Sequence, residues 1–199
     1  EVLDGKPRHW REWYLGENQF AFEVPPAFVP ANLSADAIRE VNAKVHAENE
    51  LIDEAVGSVM DYLDARGWNN DTDVIYTTDH GEFQGDFGML FKGPYHVEGL
   101  MHVPFIWRPA PSAGIAPGAV NDPVGHLDIA PTIAAATGEV PGWMQGAPLP
   151  TAADDPGGHE RTITEWQDGF GGADITMRTL YRDGYICTAY EKTNYYEDG

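Results

Sequence analysis

The feature that most constrains this chain is a short strand signal that ends abruptly in residues of a different kind. The run Val74-Ile75-Tyr76-Thr77 consists of β-branched and aromatic residues that suit a packed strand, and Asp79, His80 and Gly81 follow it closely. In open α/β sheets, ligands bind beyond the carboxyl ends of the strands, so these side chains emerge where a site is expected. A carboxylate beside an imidazole on a stiff element is typical of a divalent-cation site.

The same tripeptide also has a plainer interpretation. Asp-His-Gly can be a strand-terminating turn, in which Asp79 accepts hydrogen bonds from nearby backbone amides. The three residues alone leave the metal site and the turn equally open, because short motifs often match by chance. The surrounding sequence is what favours the metal site.

Further motifs flank the strand on both sides. They are Ile52-Asp53-Glu54-Ala55-Val56-Gly57 upstream; Glu82, Gly85, Gly88, Lys92, Tyr95, Glu98 and Val103-Pro104-Phe105-Ile106 just downstream; and His126-Leu127-Asp128-Ile129-Ala130-Pro131-Thr132 with Gly138 beyond them. Taken together with Thr77–Glu82, these segments resemble the sulfatase family of the alkaline phosphatase-like superfamily. The resemblance covers residues 34–166.

The resemblance implies both a fold and a set of site residues. It implies an α/β fold with a mostly parallel sheet sandwiched by helices, and a small antiparallel C-terminal sheet. Asp79 and His80 would bind one divalent cation, Ca²⁺ in the first place, with Mn²⁺, Mg²⁺ or Zn²⁺ as alternatives. Lys92 would be catalytic and would contact the sulfate oxygens. His96 is a further candidate for substrate binding, weighed against a purely structural role.

The nucleophile of the family is absent from this sequence. Sulfatases carry a formylglycine made from the first residue of a Cys/Ser-x-Pro-x-Arg motif, and no such motif occurs here. Cys187 is followed by Thr188-Ala189-Tyr190-Glu191, so we expect it to be a small buried apolar residue of a strand. Since family members are much longer, we expect an internal fragment that is inactive alone, with the formylglycine and the other acidic ligands in a missing N-terminal part.

The order of the motifs predicts two domains. Residues 1–150 would form the C-terminal part of the catalytic α/β domain, and residues 151–199 a truncated antiparallel subdomain. In the first domain we expect an extended segment over residues 1–33, a long helix from the N-cap Ser34 to Arg66, and a second helix capped by Asp128. In the second domain, the turn Arg182-Asp183-Gly184 predicts a hairpin.

Composition limits the partners. Lys and Arg number 12 and Asp and Glu 32, so the formal net charge is −20, which disfavours binding to nucleic acid and to anionic membranes. No apolar run approaches the length of a membrane span. The expected partner is a small-molecule sulfate or phosphonate ester, and the oligomeric state is open. One cysteine excludes an intrachain disulfide framework. The location is open: a cytoplasmic one is slightly favoured, and a signal peptide upstream of an internal fragment is equally compatible with the sequence.

Three hypotheses therefore compete. The first is a metal-dependent sulfate monoester hydrolase, and the second a phosphonate monoester or phosphodiester hydrolase on the same scaffold. The third is a non-catalytic acidic binding module that keeps the fold without the chemistry. The missing nucleophile motif fits the module, whereas the combination of Asp79, His80 and Lys92 favours an enzyme.

Overall fold

The computed structural model describes residues 2–18, 25, 28–152, 155, 159–167 and 174–191. Contacts divide the chain into two compact units, one of residues 1–112 and 168–175 and the other of residues 113–167 and 176–199. The helices are α1 (Arg8–Tyr14), α2 (Ala35–Ala65), α3 (Glu98–Met101) and α4 (Ile129–Thr137), and the strands are β1 (Val74–Thr77), β2 (Phe83–Gln84), β3 (Leu90–Phe91), β4 (Phe105–Arg108), β5 (Thr162–Trp166), β6 (Met177–Arg182) and β7 (Tyr185–Tyr190). The domain boundary at residue 150 stays a prediction.

The long helix α2 begins and ends where the sequence predicts. The hydroxyl of Ser34 accepts a hydrogen bond from the backbone N–H of Ala37 at 3.1 Å, which satisfies one of the free amides of the first turn. Arg66 is the C-cap residue, and Gly67 follows it with a φ of 70°. No residue of α2 is buried, although the whole helix is described. Its apolar stripe, which includes Val59 at 57% exposure, is therefore accessible in this structure.

The first segment of the chain differs from its prediction. We expected an extended conformation over residues 1–33, but residues 8–14 form the helix α1. Pro7 precedes the helix, and no further proline occurs before Pro25, so nothing in the sequence interrupts this turn. Trp13 lies three and four residues after Trp10 and His9, and all three residues are buried. Spacing of this kind places the three rings on one face of a helix.

A two-stranded sheet carries the candidate metal site. β1 pairs with β4 in antiparallel register, with Val74 opposite Arg108 and Thr77 opposite Phe105. Every strand pair in the described part of the chain is antiparallel, so the predicted parallel pairing is not observed there. The connection between β1 and β4 holds one small hairpin and the four-residue helix α3, and lacks the long crossover helix that a parallel return requires.

The hairpin of β2 and β3 packs on the aromatic face of α1. Phe83 pairs with Phe91, and Gln84 with Leu90. The ring of Trp10 contacts the rings of Phe83 and Tyr95 edge to face, at centroid distances of 6.3 and 4.9 Å. Buried aromatic pairs of this type contribute about 0.5–1.5 kcal/mol beyond their buried area. The hairpin and its loop are thereby held against a rigid core.

The second unit contains the predicted antiparallel sheet, in the order β5-β6-β7. Asp183 and Gly184 connect β6 to β7 with φ values of 52° and 78°, the left-handed conformations that a tight hairpin turn needs. One prediction on this sheet is wrong. Cys187 is exposed, because alternate residues of β7 face solvent and residues 185, 187 and 189 lie on that side.

A carboxylate organises the other part of the second unit. The buried side chain of Asp128 accepts hydrogen bonds from the backbone N–H groups of Gly125 and Ala147, both at 2.9 Å, and lies 2.9 Å from Nε2 of His159. It makes no capping bond to α4, contrary to the prediction. Asp128 instead connects three loop segments.

No helix of the described residues combines the length and apolarity of a membrane-crossing segment.

Candidate active site

The site begins at the C-terminal end of β1, where a close backbone contact fixes the chain. The N–H of Gly81 donates to the carbonyl oxygen of Leu100 at 2.9 Å. A Cβ atom at position 81 would lie 2.0 Å from the carbonyl oxygen of Gly99, which no side chain can tolerate without movement of the backbone. The glycine of the tripeptide is thus required by its approach to α3. The plainer interpretation of the motif as a turn is therefore compatible with a site, since the turn aims two side chains outward.

His80 is held in one orientation by its own neighbour. Its Nδ1 atom lies 2.8 Å from the carbonyl oxygen of Gly81. A carbonyl oxygen can only accept, so Nδ1 carries the proton of this bond, and whenever the ring is neutral Nε2 keeps its lone pair. That lone pair is the one available to a cation. A hydrogen bond from the other ring nitrogen to a backbone carbonyl is the usual support of a metal-binding histidine.

The Asp79 carboxylate lies beside the same nitrogen. Its Oδ2 atom is 3.5 Å from Nε2 of His80, and its Oδ1 accepts from the backbone N–H of His80 at 3.0 Å and the hydroxyl of Thr78 at 3.2 Å. Desolvation raises the pKa of the carboxyl, but electrostatic attraction to His80 and these hydrogen bonds lower it by more, so the pKa lies below its ordinary value. The carboxylate is therefore ionised at neutral pH.

The pair fits a small divalent cation. Two ligand atoms about 2.3 Å from a shared ion, at a right angle to each other, lie roughly 3.3 Å apart, close to the distance between Oδ2 and Nε2 here. Oxygen and imidazole nitrogen suit calcium, manganese or zinc to different degrees. The residues that the structure describes contain no group of three or more acidic, histidine or cysteine side chains suited to a metal ion. Asp79 and His80 would thus supply two positions of a larger ligand set.

The pairing of β2 with β3 places Lys92 at the end of the hairpin that is nearest to His80 in the sequence. Because Phe83 and Phe91 are opposite each other, the residues just outside them, Glu82 and Lys92, are neighbours as well. Their charged groups form an ion pair, with Nζ of Lys92 3.5 Å from Oε2 of Glu82. Glu82 follows His80 by two positions, so the hairpin connects the lysine to the metal-site segment. The sequence alone indicated no role for Glu82, because its pairing with Lys92 follows only from the register of β2 with β3.

The backbone on both sides of Lys92 has unusual torsion angles. Phe91 has a φ of 69°, and Gly93 a φ of 157°. A bulky residue in the left-handed region is rare, and conformations of this kind cluster at functional sites. Phe91 therefore holds a strained conformation directly before Lys92, as is typical of a functional position.

His96 lies deeper than the other candidates. It is 8% exposed, and burial lowers its pKa to about 4, so the ring is neutral at physiological pH. A neutral imidazole can donate one hydrogen bond to a substrate oxygen but cannot offset its charge. Its role in substrate binding stays a prediction.

A second histidine supports the same loop. His9 of α1 is fully buried, stacks on the ring of Tyr95 at 5.2 Å, and has Nε2 2.8 Å from the carbonyl oxygen of Pro94. Nε2 donates this bond, which ties the loop after Lys92 to α1. Nothing in the residues around His9 indicated this contact, because it joins positions 85 residues apart.

The profile of the Sulfatase family matches residues 23–139, more than half of the chain. The chain belongs to the sulfatase family. The match contains α2, the strand β1 with its Asp-His-Gly terminus, the hairpin with Lys92, and α4. The resemblance read from the motifs is confirmed.

Known sulfatases resemble the chain over part of their length. It is 31% identical over 122 residues to a choline-sulfatase of Rhizobium meliloti, covering 59% of this chain and 23% of that protein. It is 28% identical over 187 residues to the uncharacterized sulfatase YidJ of Escherichia coli, covering 92% and 34%. A solved 2-O GAG sulfatase superposes with a TM-score of 0.68 and 24% identity, over 80% of this chain and 36% of that one. This likeness confirms the alkaline phosphatase-like fold. The matched part of the chain thus corresponds to 23% and 34% of the length of these two curated relatives.

Proposed function

We propose that the full-length protein is a metal-dependent hydrolase of sulfate monoesters, and that this chain supplies two metal ligands and the lysine that contacts the sulfate group. The observation that carries the proposal is the placement of His80: its Nδ1 lies 2.8 Å from the carbonyl oxygen of Gly81, and its Nε2 lies 3.5 Å from Oδ2 of Asp79. In the neutral form of the ring, Nε2 and Oδ2 are two electron-pair donors that a cation can bind together. Membership of the sulfatase family supports the same conclusion.

Each residue has a distinct task in this proposal. Asp79 and His80 hold the cation, which when bound supplies Lewis-acid polarisation. Lys92 donates hydrogen bonds to the sulfate oxygens and offsets the negative charge that builds up as the ester bond breaks. Gly81 keeps the two ligand side chains at the turn, where its N–H bonds to the carbonyl oxygen of Leu100. The nucleophile, which we expect to be a formylglycine, is not among these residues.

The test measures turnover and cation binding in the full-length protein. Replacing Lys92 by alanine removes a charged transition-state contact, so kcat/KM for an aryl sulfate should fall by roughly a hundredfold, or about 3 kcal/mol. The matched control is Lys44→Ala, because Lys44 is an exposed lysine of α2 that also pairs with a glutamate. The control should keep its activity within about twofold.

The metal ligands need their own measurement. Asp79→Asn should weaken Mn²⁺ or Ca²⁺ binding by at least about tenfold in calorimetry, since it removes the charge from one ligand. Unchanged cation affinity in this variant, or a loss of less than about tenfold in Lys92→Ala, would contradict the assignments. Faster turnover of a matched aryl phosphonate than of the aryl sulfate would favour the phosphonate hydrolase instead.

A further inference from the structure

A carboxylate lies next to Lys92, the residue that contacts the substrate in the proposed function. Oε2 of Glu82 is 3.5 Å from Nζ of Lys92, and the two side chains are 38% and 30% exposed. The pairing of β2 with β3 fixes the two residues side by side. An anion that contacts the ammonium group therefore also enters the electric field of the carboxylate.

We propose that Glu82 makes the site selective for singly charged esters over doubly charged ones. This inference rests on the proposed function, because it takes Lys92 as the group that contacts the substrate. A sulfate monoester carries one negative charge, as do a phosphodiester and a phosphonate monoester, whereas a phosphate monoester carries two at slightly alkaline pH. Lys92 and Glu82 together have no net charge. A second negative charge on the substrate is attracted by Lys92 but also repelled by Glu82, so it adds less to binding than it would beside a lone lysine.

The size of the effect follows from Coulomb's law. Contact with Nζ places the centre of an oxyanion roughly 6–8 Å from the Glu82 carboxylate. Both side chains are partly exposed, so an effective dielectric constant of about 40 is appropriate, between the values for a protein surface and for water. Each additional substrate charge then weakens binding by roughly five- to tenfold, and less at high ionic strength.

The test compares two inert anions of the same shape in the full-length protein. Benzenesulfonate carries one charge and phenylphosphonate two at a pH of about 8.5, and calorimetry gives the Kd of each. In Glu82→Gln the ratio of the phenylphosphonate Kd to the benzenesulfonate Kd should fall by roughly five- to tenfold at low salt. In Glu82→Asp, which keeps the charge, the ratio should stay close to the wild-type value.

The matched control is Glu40→Gln. Glu40 pairs with Lys44 at 2.7 Å on the exposed surface of α2, so its replacement makes the same change in net charge away from the hairpin. It should alter the ratio by less than about twofold. An unchanged ratio in Glu82→Gln overturns the inference. So does an equal weakening of both anions, which would mean that Glu82 only positions Lys92, and so does a failure of wild type to bind either anion.

Turnover distinguishes this inference from the proposed function. If aryl sulfate is not hydrolysed but the Kd ratio still changes as expected in Glu82→Gln, the charge selection stands and the proposed activity is wrong. If the sulfate is hydrolysed and the ratio does not change, the activity stands and the role of Glu82 is wrong.

Discussion

The buried histidine of α1 leads to a prediction about stability at acidic pH. Burial lowers the pKa of His9 from 6.5 to about 4, and the hydrogen bond to Pro94 and the charge of Glu12 offset only part of this effect. Between pH 6.5 and pH 4, His9 is therefore protonated in the unfolded chain but stays neutral in the folded protein. As a result the contribution of His9 to stability is present above pH 6.5 and is lost as the pH falls towards 4.

The magnitude follows from the two pKa values. Each unit is worth about 1.4 kcal/mol, so the full loss is about 3 kcal/mol, of which about 2 kcal/mol has occurred at pH 5. His9→Gln keeps a neutral amide donor near the position of Nε2 and has no proton to gain. We therefore expect the free energy of unfolding of wild type to fall by about 2 kcal/mol more than that of His9→Gln between pH 7.5 and pH 5.

Urea denaturation of both proteins at several pH values measures this difference, because all other titrating groups are common to the two. The exposed His46 on α2 provides the control, and His46→Gln should follow the wild-type curve. Parallel curves for wild type and His9→Gln would refute the reasoning, as would an NMR titration in which His9 protonates near its ordinary pKa.

Two further predictions concern backbone contacts and a buried carboxylate. Gly81→Ala should destabilise the protein by about 1–3 kcal/mol and reduce turnover, because the new Cβ would meet the backbone of Gly99. Gly57→Ala is the control: it lies in an open part of α2 and should stabilise the protein by about 0.5–1 kcal/mol. Thermal denaturation compares the two variants. Asp128→Asn should lower the free energy of unfolding by about 2–4 kcal/mol in urea denaturation, because the N–H₂ of the new amide would face one of the three donors that now bond to the carboxylate. A loss below about 1 kcal/mol would contradict the organising role of Asp128.

Local signals in the sequence were sufficient for several elements. The capping serine and the glycine that follows the helix predicted α2, and Asp183-Gly184 predicted the β6–β7 turn, because each signal acts within a few residues. The Asp-His-Gly motif indicated Asp79 and His80 as candidate ligands, and the structure places Oδ2 of Asp79 3.5 Å from Nε2 of His80; their role in metal binding stays a prediction.

Features that depend on distant contacts were missed. The helix α1 is short and was not expected, since its aromatic face is stabilised by rings of the β2–β3 hairpin some 70 residues later. The three partners of Asp128 come from loops, which carry no periodicity to predict them. The exposure of Cys187 depends on which face of β7 packs inward, and strand composition alone did not decide that.

The hairpin of β2 and β3 has one consequence for how this site can vary among proteins. Because Glu82 faces Lys92 across a ladder, their separation is set by the pairing of Phe83 with Phe91 and not by the number of residues in between. The connecting turn can lengthen or shorten while the two charges keep their distance. Relatives that share this charge pair should accordingly be recognised by an acidic residue paired with the lysine across the hairpin, whatever the number of residues between the two in the sequence.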